Sequence, residues 1–165
     1  MSTTEHEAST AWLTQEAYDR LHTELDSLIE GRPTMSAEIN ARREEGDLKE
    51  NGGYHAAKEE QGRQEARIRQ LEDLLRGAHV GEAPSDDGVV EPGKVVVIAY
   101  DDGDTERFLL GAREIAATSD ITVYSPDSAL GTAIMGRSSG DTVTYTAPSG
   151  AKIQVTIVEC TPFTG

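Results

Sequence analysis

The feature that most constrains this chain is a pair of long helical patterns with almost no connector between them. Apolar residues recur at three- and four-residue spacing through Leu21, Leu25, Leu28 and Ile29, and Met35 and Ile39 carry the pattern further. A second pattern runs from about Leu48 to Gly77. Its expected buried residues are Tyr54, Ala57, Ile68, Leu71, Leu74 and Leu75. Gly46 lies between the two patterns, which predicts a tight antiparallel αα-hairpin.

The first helix has a recognisable start and a predicted interruption. Thr14 suits the N-cap, Glu16 lies in the first turn near the positive helix end, and Leu13 can pack against Tyr18. Pro33 lacks a backbone N–H, so we expect a kink or short break near residues 31–34. A helical stretch from Thr14 to Glu45 would extend about 45 Å at 1.5 Å per residue.

The second half of the chain has the pattern of a small β-rich domain. Residues 81–93 are rich in Gly, Pro and Asp and read as a linker or first turn. The predicted strands are Lys94–Tyr100, Glu106–Leu110, Ile121–Tyr124, Thr142–Thr146 and Ile153–Glu159, with a short helix within 128–137. The predicted fold class is therefore α+β, with a mostly antiparallel sheet. The expected divisions are a flexible N-terminus at 1–12, the hairpin at 13–79 and a globular domain at 80–165.

Composition restricts the partners and the compartment. With 165 residues and a net charge of −15, the chain is unsuited to holding nucleic acid directly, because phosphate binding needs basic patches. An acidic surface is better matched to a basic surface of another protein. No stretch approaches the roughly 20 apolar residues that cross a bilayer, and residues 1–12 lack the features of a secretory signal, so we expect a cytoplasmic protein without membrane contact.

Cys160 is the single cysteine, which excludes an internal disulfide and any Cys-based zinc cluster. No base or cation stands beside it in the sequence IVECTPF. We therefore expect a passive strand residue rather than a reactive thiol.

The tip of the hairpin, defined here as residues 46–51, carries two carboxylates. Asp47 and Glu50 are three residues apart and can face the same region of space. Such a pair suits Mg²⁺, which binds one or two protein carboxylates and completes its octahedron with water and phosphate oxygens. The same spacing is that of a capping box, with Asp47 as N-cap and Glu50 at N3 of the second helix. Spacing alone favours the cap, and the two roles can coexist.

Around the tip the chain resembles a known family. The strings GDLKEN, YHAAKEEQG and ARIRQLEDLL, and further on SPDSALGTAIMG, GDTVTY and PSG, resemble the Gre family of bacterial transcript-cleavage factors over residues 12–163. The resemblance implies an N-terminal coiled coil and a C-terminal FKBP-like domain that docks on RNA polymerase at its secondary channel. It also implies a monomer that reaches the nucleoid through the polymerase.

The resemblance further implies a mechanism in which the polymerase is the nuclease and this chain is not an enzyme by itself. The hairpin would meet the extruded RNA 3′ end of a backtracked complex. Asp47 would help hold a second Mg²⁺ shared with the polymerase active site, with no cofactor bound by the chain alone, and Glu50 would orient or deprotonate the attacking water. Gly52 and Gly53 stand where many relatives carry bulkier residues, and two glycines weaken the first turn of a helix.

Other polar residues support weaker hypotheses. The basic residues Lys49, Lys58 and Arg63, with Arg67 and Arg69 further on, are candidates to lie near the extruded RNA, or else form ion pairs on a solvated helix face. His55 reads as a surface or interhelical residue. Residues 101–106 contain four acids but lack the glycine and glutamate of a calcium loop, so a hairpin turn is the better interpretation.

Three other functions compete with transcript cleavage. A polymerase regulator of the same shape that does not stimulate cleavage is disfavoured by the intact Asp47 and Glu50. A peptidyl-prolyl isomerase would need an aromatic-lined pocket, for which the C-terminal half offers few aromatic residues, and we expect the sole tryptophan, Trp12, to lie elsewhere. A coiled-coil scaffold or chaperone would use the tip carboxylates only as helix caps.

Overall fold

The computed structural model describes residues 11–46 and 51–164. These residues form two compact units, one of residues 19–77 and one of residues 11–18 together with 78–164. Among the described residues, no helix has both the length and the apolar character needed to cross a membrane.

Three helices build the first unit: α1 (Gln15–Glu30), α2 (Arg32–Arg43) and α3 (Gly52–Leu75). Thr14 is the N-cap that the sequence predicts, since its Oγ1 accepts from the Ala17 amide at 3.1 Å. The predicted interruption is confirmed at Gly31, because Pro33 in the first turn of α2 cannot donate to the end of α1. The prediction that the second helix starts at Leu48 is wrong: α3 begins at Gly52 and ends at Leu75.

The buried residues of the hairpin lie on one narrow apolar face of the helices. Among the described residues of the first unit, the fully or nearly fully buried side chains are Leu21, Ile39, Ala57, Ile68 and Leu71. Tyr54, Leu74 and Leu75 are half-buried, as expected of their predicted face. Ile29 was expected to be buried, but it is 40% exposed. It follows Leu28 by 100° around the helix and so lies at the margin of the row formed by Leu21, Leu25 and Leu28.

Two ion pairs join α3 to the helices on either side of the Gly31 break. Arg67 binds Glu24 of α1 through two hydrogen bonds of 2.7 and 3.0 Å. Arg32 of α2 binds Glu65 in the same two-pronged way, with both bonds at 3.0 Å. The Arg67 hydrogen bonds hold the pKa of Glu24 below its usual value. Two-pronged pairing fixes orientation as well as distance, so these pairs set the alignment of the helices.

The second unit contains two sheets. The strands are β1 (Trp12–Leu13), β2 (His79–Val80), β3 (Lys94–Tyr100), β4 (Thr105–Leu110), β5 (Val123–Tyr124), β6 (Thr142–Thr146) and β7 (Lys152–Pro162). β1 pairs with β2 in parallel, and the larger sheet has the order β5-β4-β3-β7-β6. All pairs in the larger sheet are antiparallel except β4 with β5. The α+β class is therefore confirmed, and β3 and β6 have the predicted bounds.

The core of this unit lies on one face of the larger sheet, beneath the short helix α4 (Ala129–Ile134). Leu130 and Ile134 of α4 pack there. The strand residues of this core are Val96, Ile98, Phe108, Leu110, Val143, Val155, Ile157 and Cys160. Outside this core, the 3-10 helix at Arg113–Ala117 buries Ile115 fully, near Gly111. The predicted short helix within 128–137 is thus confirmed.

The segments expected to be flexible or connecting contribute to this unit. Within the predicted flexible residues 1–12, the structure describes 11 and 12, and Trp12 is 6% exposed. Its indole N–H donates to the Glu82 carbonyl at 2.8 Å, and its carbonyl accepts from the Ala112 amide at 3.0 Å. In the predicted linker 81–93, Val90 is a buried core residue. These contacts make Trp12 and Val90 parts of the folded unit.

Lys94 is fully buried, and its ammonium group is bonded on several sides. Its Nζ lies 2.5 Å from Asp87 and 3.1 Å from Glu91 and donates to the Val89 carbonyl at 2.5 Å. Burial opposes the charge, but the hydrogen bonds to Asp87 and Glu91 outweigh it and raise the pKa of Lys94. Cys160 lies near this group, donating to the same Val89 carbonyl at 3.5 Å, and burial raises the pKa of its thiol. A buried thiol of raised pKa fits the expected passive role.

Glu106 is bound by two tyrosines across three neighbouring strands. The hydroxyls of Tyr100 and Tyr124 donate to its two carboxylate oxygens at 2.6 and 2.5 Å. Burial, followed by the bond to Glu106, raises the pKa of Tyr100. The Glu106 bond and burial raise the pKa of Tyr124 to about 12. The carboxylate thus holds both phenols in their neutral form.

We expect Leu71→Ala to lower the free energy of unfolding by about 2–5 kcal/mol, because it removes a fully buried side chain and leaves a cavity. Thermal melts followed by circular dichroism at 222 nm measure the change. Ile29→Ala is the matched control, since Ile29 is 40% exposed and should cost far less. Equal losses in the two variants would show that the buried face is misassigned.

Alkaline pH should weaken the second unit through Tyr124. Its pKa is raised in the folded chain, so the associated stability is complete below about pH 10, the usual phenol pKa, and is lost as pH rises towards 12. Absorbance at 295 nm should show late titration of part of the tyrosines, and Glu106→Gln should move that fraction to lower pH. Titration of every tyrosine near pH 10 in the unmodified chain would contradict the hydrogen bonds to Glu106.

Candidate functional site at the hairpin tip

The candidate site residues fall in the connection between α2 and α3. Asp47, Lys49 and Glu50 lie outside the described residues, while the structure describes both ends of the connection, up to Gly46 and from Asn51. The residues at these two ends form the described border of the site.

Asn51 is the N-cap of α3. Its side-chain oxygen accepts from the Tyr54 amide at 3.0 Å, and its backbone carbonyl accepts from the His55 amide at 3.2 Å. The capping-box interpretation, with Asp47 at the N-cap and Glu50 at N3, is thus wrong for this helix. Asn and Asp are comparable caps, and α3 begins at Gly52, one residue after the Asn51 cap.

The end of α2 packs towards the start of α3 through its last arginines. The Arg43 guanidinium lies 5.8 Å from the centre of the Tyr54 ring, a cation–π distance. Arg42 forms an ion pair with Glu45 at 3.5 Å, and its carbonyl accepts a hydrogen bond from the Asn51 side-chain amide. His55 is exposed and lies edge-on to Tyr54, as a surface residue would.

The described basic candidates are engaged within α3. Arg63 binds Glu60 at 2.7 and 2.9 Å, and these bonds hold the pKa of Glu60 below its usual value. Lys58 donates to Gln61 at 3.2 Å. The Arg63 contact matches the ion-pair alternative, whereas Lys58 bonds a neutral amide; both partners are three residues away along α3.

The described residues contain no group of three or more His, Cys, Asp or Glu side chains that could hold a metal ion. The acidic segment 101–106 instead forms the predicted hairpin turn between β3 and β4. Asp102 accepts from the Asp104 amide at 2.9 Å, and Gly103 adopts a φ of +88°, which only glycine adopts without strain.

Three strand aromatics of the second unit are packed or hydrogen-bonded within the sheet. Phe108 is fully buried in the core, and the Tyr100 and Tyr124 hydroxyls are both held by Glu106. Trp12 packs edge-on against Phe163, with 6.3 Å between the ring centroids. Both rings border a cleft of about 500 Å³ that Thr118, Ser119 and Asp120 also line. The expectation that Trp12 lies apart from the C-terminal aromatics is therefore wrong.

Two domains of one known protein family match this chain. The family domain described as "Transcription elongation factor, N-terminal" matches residues 11–80, and the domain described as "Transcription elongation factor, GreA/GreB, C-term" matches residues 84–162. The helical hairpin and the C-terminal sheet correspond to these two domains, and together they span most of the chain. The chain belongs to the GreA/GreB family of transcription elongation factors, whose members bind RNA polymerase.

Individual relatives match over nearly the full length. Transcription elongation factor GreA of Saccharopolyspora erythraea is 55% identical over 160 residues, covering 96% of this chain and 99% of that protein. Transcription elongation factor GreA of Mycolicibacterium smegmatis is 58% identical over 157 residues, covering 93% and 96%. Among solved structures, the GreA factor homolog 1 (Gfh1) of Thermus thermophilus aligns with a TM-score of 0.41 and 28% identity, covering 92% of this chain and 98% of that one.

Asn51 is the residue at this site whose role the sequence analysis missed. The available signal was its type, since Asn is among the preferred N-caps. Asp47 with Glu50 offered a competing and more elaborate capping pattern, with its N-cap four residues earlier, and the two glycines after Asn51 made that position an unfavourable place to begin a helix.

Alanine substitutions at Gly46, the first residue of the tip, and at Gly52, which follows the tip, should change the stability of the chain in opposite directions. A Cβ at Gly52 would meet nothing within 4 Å in the first turn of α3, so Gly52→Ala should raise helix stability by up to about 1 kcal/mol. Gly46 also has open space around it, but its φ of +154° is one that alanine rarely adopts, so Gly46→Ala should destabilise. Melts at 222 nm compare the two. A stabilising Gly46→Ala would contradict the described backbone at the end of α2.

Proposed function

We propose that this chain binds the secondary channel of bacterial RNA polymerase and stimulates the polymerase's own Mg²⁺-dependent cleavage of backtracked RNA, so rescuing arrested complexes. The chain is then not a nuclease itself. It completes in trans an active site whose remaining groups belong to the polymerase.

The observation that carries the proposal is that Asn51, and not Asp47, caps α3. The alternative explanation for a carboxylate at position 47 was helix capping, and Asn51 already fills that role. Asp47 and Glu50 therefore have no required structural task at the start of α3. For a pair of carboxylates that does not cap a helix, in the connector of a hairpin, metal binding and catalysis are the better explanation.

The carboxylates suit a metal that is only partly ligated by this chain. Both are hard oxygen donors, and Mg²⁺ usually takes only one or two protein carboxylates and fills its other positions with water and phosphate oxygens. Asp47 would help hold a second Mg²⁺ at the polymerase active site, and Glu50 would orient or deprotonate the attacking water. When bound, paired metal ions stabilise both the attacking and the leaving oxygen of a phosphodiester.

The length of the hairpin helices suits delivery of these groups into a channel. The 24 residues of α3 extend about 36 Å at 1.5 Å per residue. We assign docking on the polymerase chiefly to residues 80–165, with the chain acting as a cytoplasmic monomer. Lys49, Lys58 and Arg63 would lie near the extruded RNA 3′ end.

The other functions are less well supported. An isomerase is disfavoured because Phe108 is buried and the Tyr100 and Tyr124 hydroxyls are occupied by Glu106. A scaffold that uses Asp47 only as a cap is disfavoured by Asn51. A polymerase binder that does not stimulate cleavage remains distinguishable only by assay.

Asp47→Asn should abolish most cleavage stimulation while leaving the fold intact. The substitution removes the charge that would attract Mg²⁺, and α3 keeps its Asn51 cap. The assay follows end-labelled RNA in a stalled polymerase complex. Raised Mg²⁺ should partly restore cleavage, and competition with unmodified protein for the polymerase should stay nearly normal because docking is unaffected.

Glu44→Gln is the matched control for charge loss near the tip, since Glu44 is an exposed carboxylate at the end of α2. It should support nearly normal cleavage. An Asp47→Asn variant that melts early yet cleaves normally per folded molecule would show a structural carboxylate and overturn the mechanism. Absence of any stimulation by the unmodified chain would favour the non-cleaving regulator.

A further inference from the structure

The cleft beside Trp12 lies within the second unit, and the proposed cleavage mechanism does not use it. Its volume of about 500 Å³ falls in the range of about 300–1,000 Å³ that is typical of small-molecule sites. Trp12 and Phe163 form an aromatic wall, with their ring planes at 88° to one another. Ser119, Asp120 and Glu16 of α1 also line the cleft. The cleft therefore combines aromatic rings with polar and charged groups.

Contacts within the unit hold the aromatic wall in place. The indole N–H of Trp12 donates to the Glu82 carbonyl, and the Trp12 backbone carbonyl accepts from the Ala112 amide. A Cβ at Gly93 would lie 2.7 Å from the indole nitrogen, so a glycine there allows the ring to pack this closely against the chain. Gly93 also has a φ of +95°, which other residues rarely adopt. A wall fixed in this way loses little freedom when a ligand binds.

The charge of the cleft is negative. The described residues that line it include two acids, Glu16 and Asp120, and no Lys, Arg or His. Both carboxylates are exposed, and within the described part of the chain neither side chain has a hydrogen-bond or ion-pair partner. The N-terminus of α1 contributes a partial charge of only about +0.5, which two carboxylates outweigh. The cleft therefore favours a cation over an anion.

An arginine side chain matches this combination of groups. Its guanidinium is planar and always charged, and it can lie against an aromatic ring while its N–H groups bond to carboxylates. The ammonium group of lysine is a more strongly hydrated point charge, which suits an aromatic wall less well. The net charge of −15 on the whole chain also favours a partner with a basic surface.

We propose that this cleft binds an arginine side chain on the surface of RNA polymerase and is a docking contact of the second unit. The guanidinium would lie against Phe163 and pair with Glu16 and Asp120. Phe163 is half-buried whereas Trp12 is 6% exposed, so Phe163 offers its ring to the ligand and Trp12 supports it. This inference rests on the proposed function for the identity of the partner, but it concerns binding and not cleavage.

A short peptide tests the cleft without the polymerase. Acetyl-Gly-Arg-Gly-amide is titrated into the isotope-labelled full chain while NMR follows the Trp12 indole N–H and the Ser119 and Asp120 amides. These signals should shift with the arginine peptide but not with a citrulline peptide, which has nearly the same shape and no charge. Asp120→Asn and Phe163→Leu should each raise the dissociation constant by about 2- to 5-fold, as expected of an exposed ion pair or ring contact. Equal shifts with both peptides, or shifts confined to other regions, would overturn the inference.

Competition for RNA polymerase tests the same carboxylates in the complex. A double variant with Glu16→Gln and Asp120→Asn should need a concentration about 4- to 25-fold higher to displace the unmodified chain, and added salt should reduce that difference. The matched control is Asp86→Asn with Asp101→Asn, because both are exposed carboxylates of the same unit that do not line the cleft. The control should compete almost normally. Equal losses in the two double variants would show that total charge, and not the cleft, determines binding.

The single variant Asp120→Asn keeps the test valid if the double variant folds poorly. Asp120 lies outside the helices, whereas Glu16 is in the first turn of α1 and stabilises its positive end. Full affinity of folded Asp120→Asn for both the peptide and the polymerase would contradict the inference. If Asp47→Asn abolishes cleavage while the cleft variants keep full affinity, the inference is wrong and the proposed function stands. Cleft variants that lose affinity, in a chain that stimulates no cleavage, would support the inference and remove the proposed function.

Discussion

The narrow apolar contact between the hairpin helices is the interaction on which the first unit depends. Most of the stability of a helix in a protein comes from tertiary packing of its apolar face, so the burial of a few side chains between these helices stabilises the unit. Leu21, Ile39 and Leu71 are among the five buried residues that do so. Because such a contact can slide, the two-pronged pairs of Arg67 with Glu24 and of Arg32 with Glu65 matter: they fix alignment on both sides of the break at Gly31.

Sequence patterns predicted the elements whose cause is local or periodic. The strands Lys94–Tyr100 and Thr142–Thr146 have the predicted bounds, and Pro33 announced the break because it lacks an N–H. The sequence-based predictions failed where contacts between residues distant in sequence determine the structure. Two-residue strands such as Trp12–Leu13 are too short to show a period, and Val90 is buried although its surroundings have a linker's composition. At α3, two capping patterns competed, and residue type alone did not distinguish them.

The site residues Asp47 and Glu50 stay a prediction of the sequence, whereas the contacts at the ends of the bordering helices come from the structure. Asp47 and Glu50 stand out through their spacing and through the GDLKEN string, which the family resemblance made specific. The hydrogen bond from Asn51 to the Arg42 carbonyl could not be read from the sequence, because it depends on the angle at which two helices end. Membership of the GreA/GreB family is shown by the matched domains, and the structure adds how the helices on either side of the tip end and begin.

The place of Trp12 makes the two units optically separable. It is the sole tryptophan, it is nearly fully buried, and its indole bonds to the Glu82 carbonyl within the second unit. Most helical residues, by contrast, belong to the first unit. Intrinsic fluorescence excited at the indole therefore reports on the sheet-bearing unit, and far-ultraviolet ellipticity is dominated by the hairpin. An unlabelled chain thus carries its own pair of probes for asking whether its halves unfold in one step or two.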